Sequence, residues 1–125
     1  MEITPEEIQN KLFTYSDIAQ KFHHDTRSFA EHKALDFLYT ELLSFRDTIC
    51  ELIIGYQNGK RIGKMQLGEV PDYSHAASIK LATSVKDFAY QIEMWAENKK
   101  YCDIENKSQE LSGVAAKTLY LLSLT

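Results

Sequence analysis

The chain has 125 residues, with 14 Lys and Arg against 18 Asp and Glu and a formal net charge of -4 with His neutral. One domain is the ordinary expectation at this length, and the acidic balance argues against a role in coating nucleic acid, so DNA binding is not expected. Hydrophobic residues at 44% and charged residues at 26% suit a soluble globular protein, and 5 Gly with 2 Pro offer too few turn signals for an all-β sandwich or barrel.

Thr4-Pro5-Glu6-Glu7 places an N-cap Thr, a Pro in the first turn and a Glu three residues on, which is a helix start. Ile8, Leu12, Tyr15, Ile18, Ala19 and Phe22 follow at helical spacing, so the spacing predicts a first helix from about Pro5 to about His24. Ser28-Phe29-Ala30-Glu31 reads as a second capping box. Leu35, Leu38, Leu42, Phe45, Ile49 and Leu52 continue it as a stripe, with Gly55 as the stop; the second helix is expected from roughly Phe29 to Ile54. Tyr56 to Ser74 is one long loop rich in Gly, and a loop of that length is usually functional or mobile. A third helix is expected from about His75 to Lys100, with Leu81, Val85, Phe88, Ile92 and Trp95 inward. Asp103 can cap a fourth, Ile104 to about Leu122, with Leu111, Ala115, Thr118, Leu119 and Leu122 inward. Two short connections and one long one describe an all-α four-helix bundle, up-down-up-down, with the long loop between the second and third helices.

MEITPEEIQN has neither a basic nor an apolar leader region, and no apolar run approaches the ~18–20 residues that span a bilayer. A cytoplasmic protein with no membrane role is expected. Cys50 and Cys102 lack a Cys-x-x-Cys pattern and are expected as reduced thiols, one of them buried.

The second helix carries a polar line. His32, Asp36, Asp47 and Glu51 are spaced by 4, 11 and 4 residues, and 11 residues is close to three full turns. Such a line can simply be solvated. Asp47, however, lies ~16–17 Å along the axis from Asp36, so one helix cannot bring both ends to one metal. An antiparallel copy can. Centred between Glu41 and Leu42, a two-fold seam places His32 against Glu51 and Asp36 against Asp47, building two identical His/carboxylate clusters by isologous contact. His23, nine residues before His32 across a tight corner, can add a second imidazole. Such donors suit iron, manganese or zinc.

His23-His24-Asp25-Thr26-Arg27-Ser28-Phe29-Ala30-Glu31-His32, followed by Asp36, Asp47 and Glu51, resembles the ferroxidase region of the Dps-type mini-ferritins of the ferritin-like superfamily. That family has a His at the end of its first helix, a Phe-x-x-His opening the second, an acid four residues on, and Asp-x-x-x-Glu 15 residues after the second His. The resemblance implies a ferritin-like bundle and an intersubunit iron site made by His23, His32 and Asp36 of one chain and Asp47 and Glu51 of another. It further implies a homodimer or larger homo-oligomer through the second helix, with oxidation of Fe(II) by oxygen or peroxide as its activity. The same segment, with Thr118-Leu119-Tyr120-Leu121-Leu122 near the other end, is similar to short tailed-phage proteins and covers more of the chain. It implies a second expectation: a phage accessory protein, acting in the host cytoplasm, whose non-catalytic bundle binds a host protein or sequesters a small ligand.

Other features weigh less. No Glu-x-x-His occurs, which argues against a di-iron centre inside one bundle. Gly55-Tyr-Gln-Asn-Gly59-Lys60 is one residue short of a phosphate loop and follows a helix, so it is rejected. Lys60, Arg61 and Lys64 form a basic patch that serves solubility or meets an anion. His75 is expected at the surface start of the third helix; Trp95, Phe88 and Tyr120 are expected in the core. Asn106 and Glu110 lie one turn apart, in a polar contact or exposed.

Overall fold

The computed structural model describes residues 2–125. Four helices make up the order: α1 (Pro5–Asp25), α2 (Phe29–Tyr56), α3 (His75–Lys99) and α4 (Cys102–Leu122). No strand occurs among the described residues. Each start has a physical cause. Thr4 Oγ1 accepts from Glu7 N–H at the head of α1, Ser28 Oγ from Glu31 N–H at α2, and Ser74 Oγ from Ala77 N–H at α3. Thr4→Ala is expected to cost about 1 kcal/mol, seen as a lower denaturant midpoint with an unchanged slope in urea unfolding followed by circular dichroism. α4 begins differently. Asp103 was the expected cap, but the helix starts two residues earlier, at Cys102, Tyr101 stands at the cap position, and no side chain caps it. Asp103 instead accepts from the Tyr56 hydroxyl at 3.3 Å, a bond that ties the end of α2 to the start of α4.

The expected stripes form the core. Ile8, Leu12 and Phe22 of α1 meet Leu35, Leu38, Leu42, Ile49 and Ile53 of α2, with Ile92 and Trp95 of α3 and Ile104 and Leu111 of α4, in one cluster. Tyr120 was expected inside and is 62% exposed. Its neighbours Thr118 and Leu122 hold the inward positions, and with 3.6 residues per turn the residue midway between them faces away. Asn106 and Glu110 are exposed, and Glu110 pairs with Lys107 at 3.2 Å.

α2 packs on α1 and α4, while α3 packs most extensively on α4 and lightly on α1. α2 and α3 are therefore diagonal. They also run in the same direction. Glu31 at the start of α2 bonds His75 at the start of α3, and Tyr56 at the end of α2 stacks on Tyr101, which joins α3 to α4. The order is up-down-down-up, which corrects the up-down-up-down expectation. Neighbouring antiparallel helices need connections of only ~2–8 residues. Residues 57–74 are long enough to return along the whole bundle, so α3 starts where α2 started.

The returning segment is laid along α1. Gly63 N–H donates to Glu6 Oε1 at 3.3 Å, Gln66 N–H to Asn10 Oδ1 at 2.9 Å, and Gly68 N–H to Thr14 Oγ1 at 2.9 Å. Glycine permits this approach. A Cβ on Gly68 would meet Thr14 Cγ2 at 3.2 Å, and one on Gly63 would meet Glu6 Oε1 at 3.0 Å.

Candidate functional site

The α1–α2 corner brings His23 and His32 together. Their rings stack with centroids 4.8 Å apart and planes 22° from parallel. His24 lies against His23 at 4.5 Å, and Tyr39, two turns along α2 from His32, stacks on His23 at 5.9 Å. The corner is short because α1 ends at Asp25 and α2 begins at Phe29. Carbonyls at the end of α1 lack intrahelical partners, and His32 Nδ1 binds the His23 carbonyl at 2.8 Å. His23 Nδ1 binds the Gln20 carbonyl, also at 2.8 Å. A carbonyl only accepts, so each Nδ1 must carry the proton. In the neutral ring each Nε2 then has a free lone pair, the arrangement by which metal-binding histidines are oriented.

The acids are placed differently. Asp36, Asp47 and Glu51 are all exposed on the outermost line of α2, together with Thr40 and Ser44 between them. Asp36 lies one turn beyond His32, while Asp47 and Glu51 lie toward the other end of the helix. Among the described residues, no three His, Cys, Asp or Glu side chains gather into a group that could hold a metal ion. One chain thus brings His23 and His32 together and leaves Asp47 and Glu51 apart from them. Cys50, beside Asp47, is partly buried, and burial with the Asp47 charge pushes its thiol up to about 11. It is a poor nucleophile or ligand near neutral pH. Cys102 is exposed at the first position of α4, and both thiols are free.

A second polar cluster adjoins the corner, and the sequence reading missed it. Glu31 was assigned to a capping box, in which its side chain would return to the Ser28 N–H. That N–H donates to Thr26 Oγ1 instead, and the Glu31 side chain turns inward to 2% exposure. Its Oε1 receives His75 Nδ1 at 2.7 Å, and its Oε2 receives the Tyr73 hydroxyl at 2.7 Å and Ser78 Oγ at 2.8 Å. Tyr73 also lies 3.1 Å from Thr26 Oγ1; its single proton goes to the carboxylate, so Thr26 donates to Tyr73. Burial pushes the Glu31 carboxyl up, but the bonds from Tyr73, His75 and Ser78 and the His75 charge outweigh it and hold it below its ordinary value. Burial and the Glu31 carboxylate push the Tyr73 phenol up. Two residues of this cluster, His75 and Ser78, sit three apart on one face of α3. That spacing was the signal available in the sequence.

The model of a family of unknown function, DUF5856, matches residues 23–122. The chain belongs to that family. The DUF5856 match begins at His23 and includes all five candidate ligands, the crossover and the Glu31 cluster. A curated relative is the "Uncharacterized 14.6 kDa protein in mobD-ri intergenic region" of Enterobacteria phage T4. It is 29% identical over 104 residues, covering 82% of this chain and 74% of the relative. The expected similarity to short phage proteins is met at this level. No solved structure matches, and neither match names a ferritin, so the mini-ferritin resemblance of this DUF5856 chain rests on residue spacing. No helix of the described residues is long and apolar enough to cross a membrane.

Proposed function

We propose that this protein binds a divalent transition metal, iron in the first place, at a site shared by two copies paired through α2. His23, His32 and Asp36 come from one chain and Asp47 and Glu51 from the other. The observation that carries this reading is the pair of imidazoles whose Nδ1 atoms are both committed to backbone carbonyls. The donor set fits: two neutral nitrogens and three carboxylates suit iron, manganese or zinc. Thr40 and Ser44, small and exposed at the centre of α2, let two helices approach closely. A single long crossover is the connectivity of ferritin-like bundles and is consistent with this reading. Bound iron would supply redox chemistry toward oxygen or peroxide, while the carboxylates favour the more highly charged ion and the imidazoles hold its other side.

The test is anaerobic Fe(II) titration, with Zn(II) in parallel, joined to light-scattering mass. The expected result is two metal sites per dimer. A dimer that takes up neither ion would overturn the metal and leave a bundle that recognises a host protein or a small ligand. A monomer at every concentration would remove the shared site.

A further inference from the structure

The crossover presents an unpaired backbone edge, and we infer that it is a self-pairing strand through which two copies of this protein associate along α1. Its extension follows from arithmetic. Between Gly63, bonded to Glu6, and Tyr73, bonded to Thr26, ten crossover residues accompany twenty residues of helix. Twenty helical residues rise ~30 Å, and ten extended residues rise ~33 Å. The segment is a strand in length without a partner strand.

Its two edges differ. One is held by side chains of α1 through the N–H groups of Gly63, Gln66 and Gly68. No backbone–backbone hydrogen bond involves residues 61–73, and the N–H groups of Met65, Leu67 and Glu69 have no partner among the described residues. Over residues 65–69 the bonded groups, Gln66 and Gly68, alternate with the free groups of Met65, Leu67 and Glu69, which form the open edge. The segment is also apolar where it is free. Met65, Leu67 and Val70 are 45%, 49% and 43% exposed. Unpaired edges of this kind recruit another strand.

Charge selects a second copy as the occupant. Lys60, Arg61 and Lys64 lie at one end of the segment and Glu69 and Asp72 at the other, so an antiparallel copy meets opposite charge at both ends. Register narrows further. Directly opposed residues share a face, and the free odd-numbered groups must oppose each other. Pairing centred on Gln66 opposes the free groups of Met65 and Leu67 twice and sets Ile62 against Val70 and Lys60 against Asp72, while Glu69 faces Gly63, whose N–H already serves Glu6. Pairing centred on Leu67 sets Met65 against Glu69, an apolar side chain against an acid. The crossover is carried by α1, which packs beside α2, whereas the other seam uses the outer line of α2. A contact of one strand per copy is small, so association depends on concentration.

Light-scattering mass over a concentration series, with infrared amide I spectra, tests the inference. The expected result is a doubling of mass accompanied by a β-sheet amide I component, in a chain with no strand among its described residues. Leu67→Pro, which removes an outward N–H, and Lys60→Glu should each halve the mass at the highest concentration, with helix content unchanged by circular dichroism. Lys60→Glu combined with Asp72→Lys should regain it. Equal mass in wild type and Leu67→Pro, doubling without the sheet signal, or failure of the charge-swapped double variant to regain mass would overturn the inference.

Discussion

Glu31→Ala is expected to lower stability by about 3 kcal/mol, with a fall of about 10 °C in Tm for a chain of this size. The cause is not the loss of a surface ion pair. Glu31 is buried, and its carboxylate accepts from three donors on the crossover and α3. Truncation leaves Ser78 Oγ, which is fully buried, and the Tyr73 hydroxyl without their acceptor. The pH dependence has a definite sign. The carboxyl is held below its ordinary value of 4.5 in the folded chain, so its contribution is complete above that value. It fades as pH falls from there through the lowered folded value. Glu31→Gln keeps an acceptor for Tyr73 and Ser78 but cannot ionise. It should recover part of the loss and flatten the acid limb of the stability profile. Thermal unfolding of the three proteins from pH 7 to pH 3 measures this; an Ala variant within ~0.5 kcal/mol of wild type at pH 7 would show that the cluster carries little energy.

His32→Ala with Asp36→Ala is expected to abolish metal uptake while leaving helix content unchanged, because His32 is partly exposed and Asp36 exposed. Asp47→Ala with Glu51→Ala should do the same from the other half of the site. The decisive result comes from mixing the two inactive proteins. In a mixed dimer one site draws His32 and Asp36 from one chain and Asp47 and Glu51 from the other, all intact, while the second site is lost on both sides. Random exchange then restores about one quarter of the wild-type stoichiometry. No recovery on mixing, with dimers demonstrably exchanged, excludes a shared site. Uptake surviving in either double variant places the metal elsewhere.

The helices were legible because their signals are local. Caps at Thr4 and Ser28 and stripes such as Leu35, Leu38 and Leu42 depend only on near neighbours along the chain. Helix direction was not local. It depends on where an 18-residue connection ends, and that was decided by Glu6, Asn10 and Thr14 reading its backbone. The site divides the same way. His23 and His32 were found because one corner separates them. Glu31 was assigned to a nearby cap because its actual partners, Tyr73, His75 and Ser78, are more than forty residues away. Tyr120 was expected inward on helical spacing, but it falls midway between the buried Thr118 and Leu122, a phase that points outward.

The parallel course of α1 and α4 has a mechanical consequence. The chain enters the bundle at the end where α1 starts and leaves at the opposite end, ~30 Å away for a helix of 21 residues. Tension applied between the two ends of the chain therefore runs along the helix axes. It slides packed helices past one another and loads many core contacts at once, whereas ends emerging side by side would peel one helix from the bundle turn by turn.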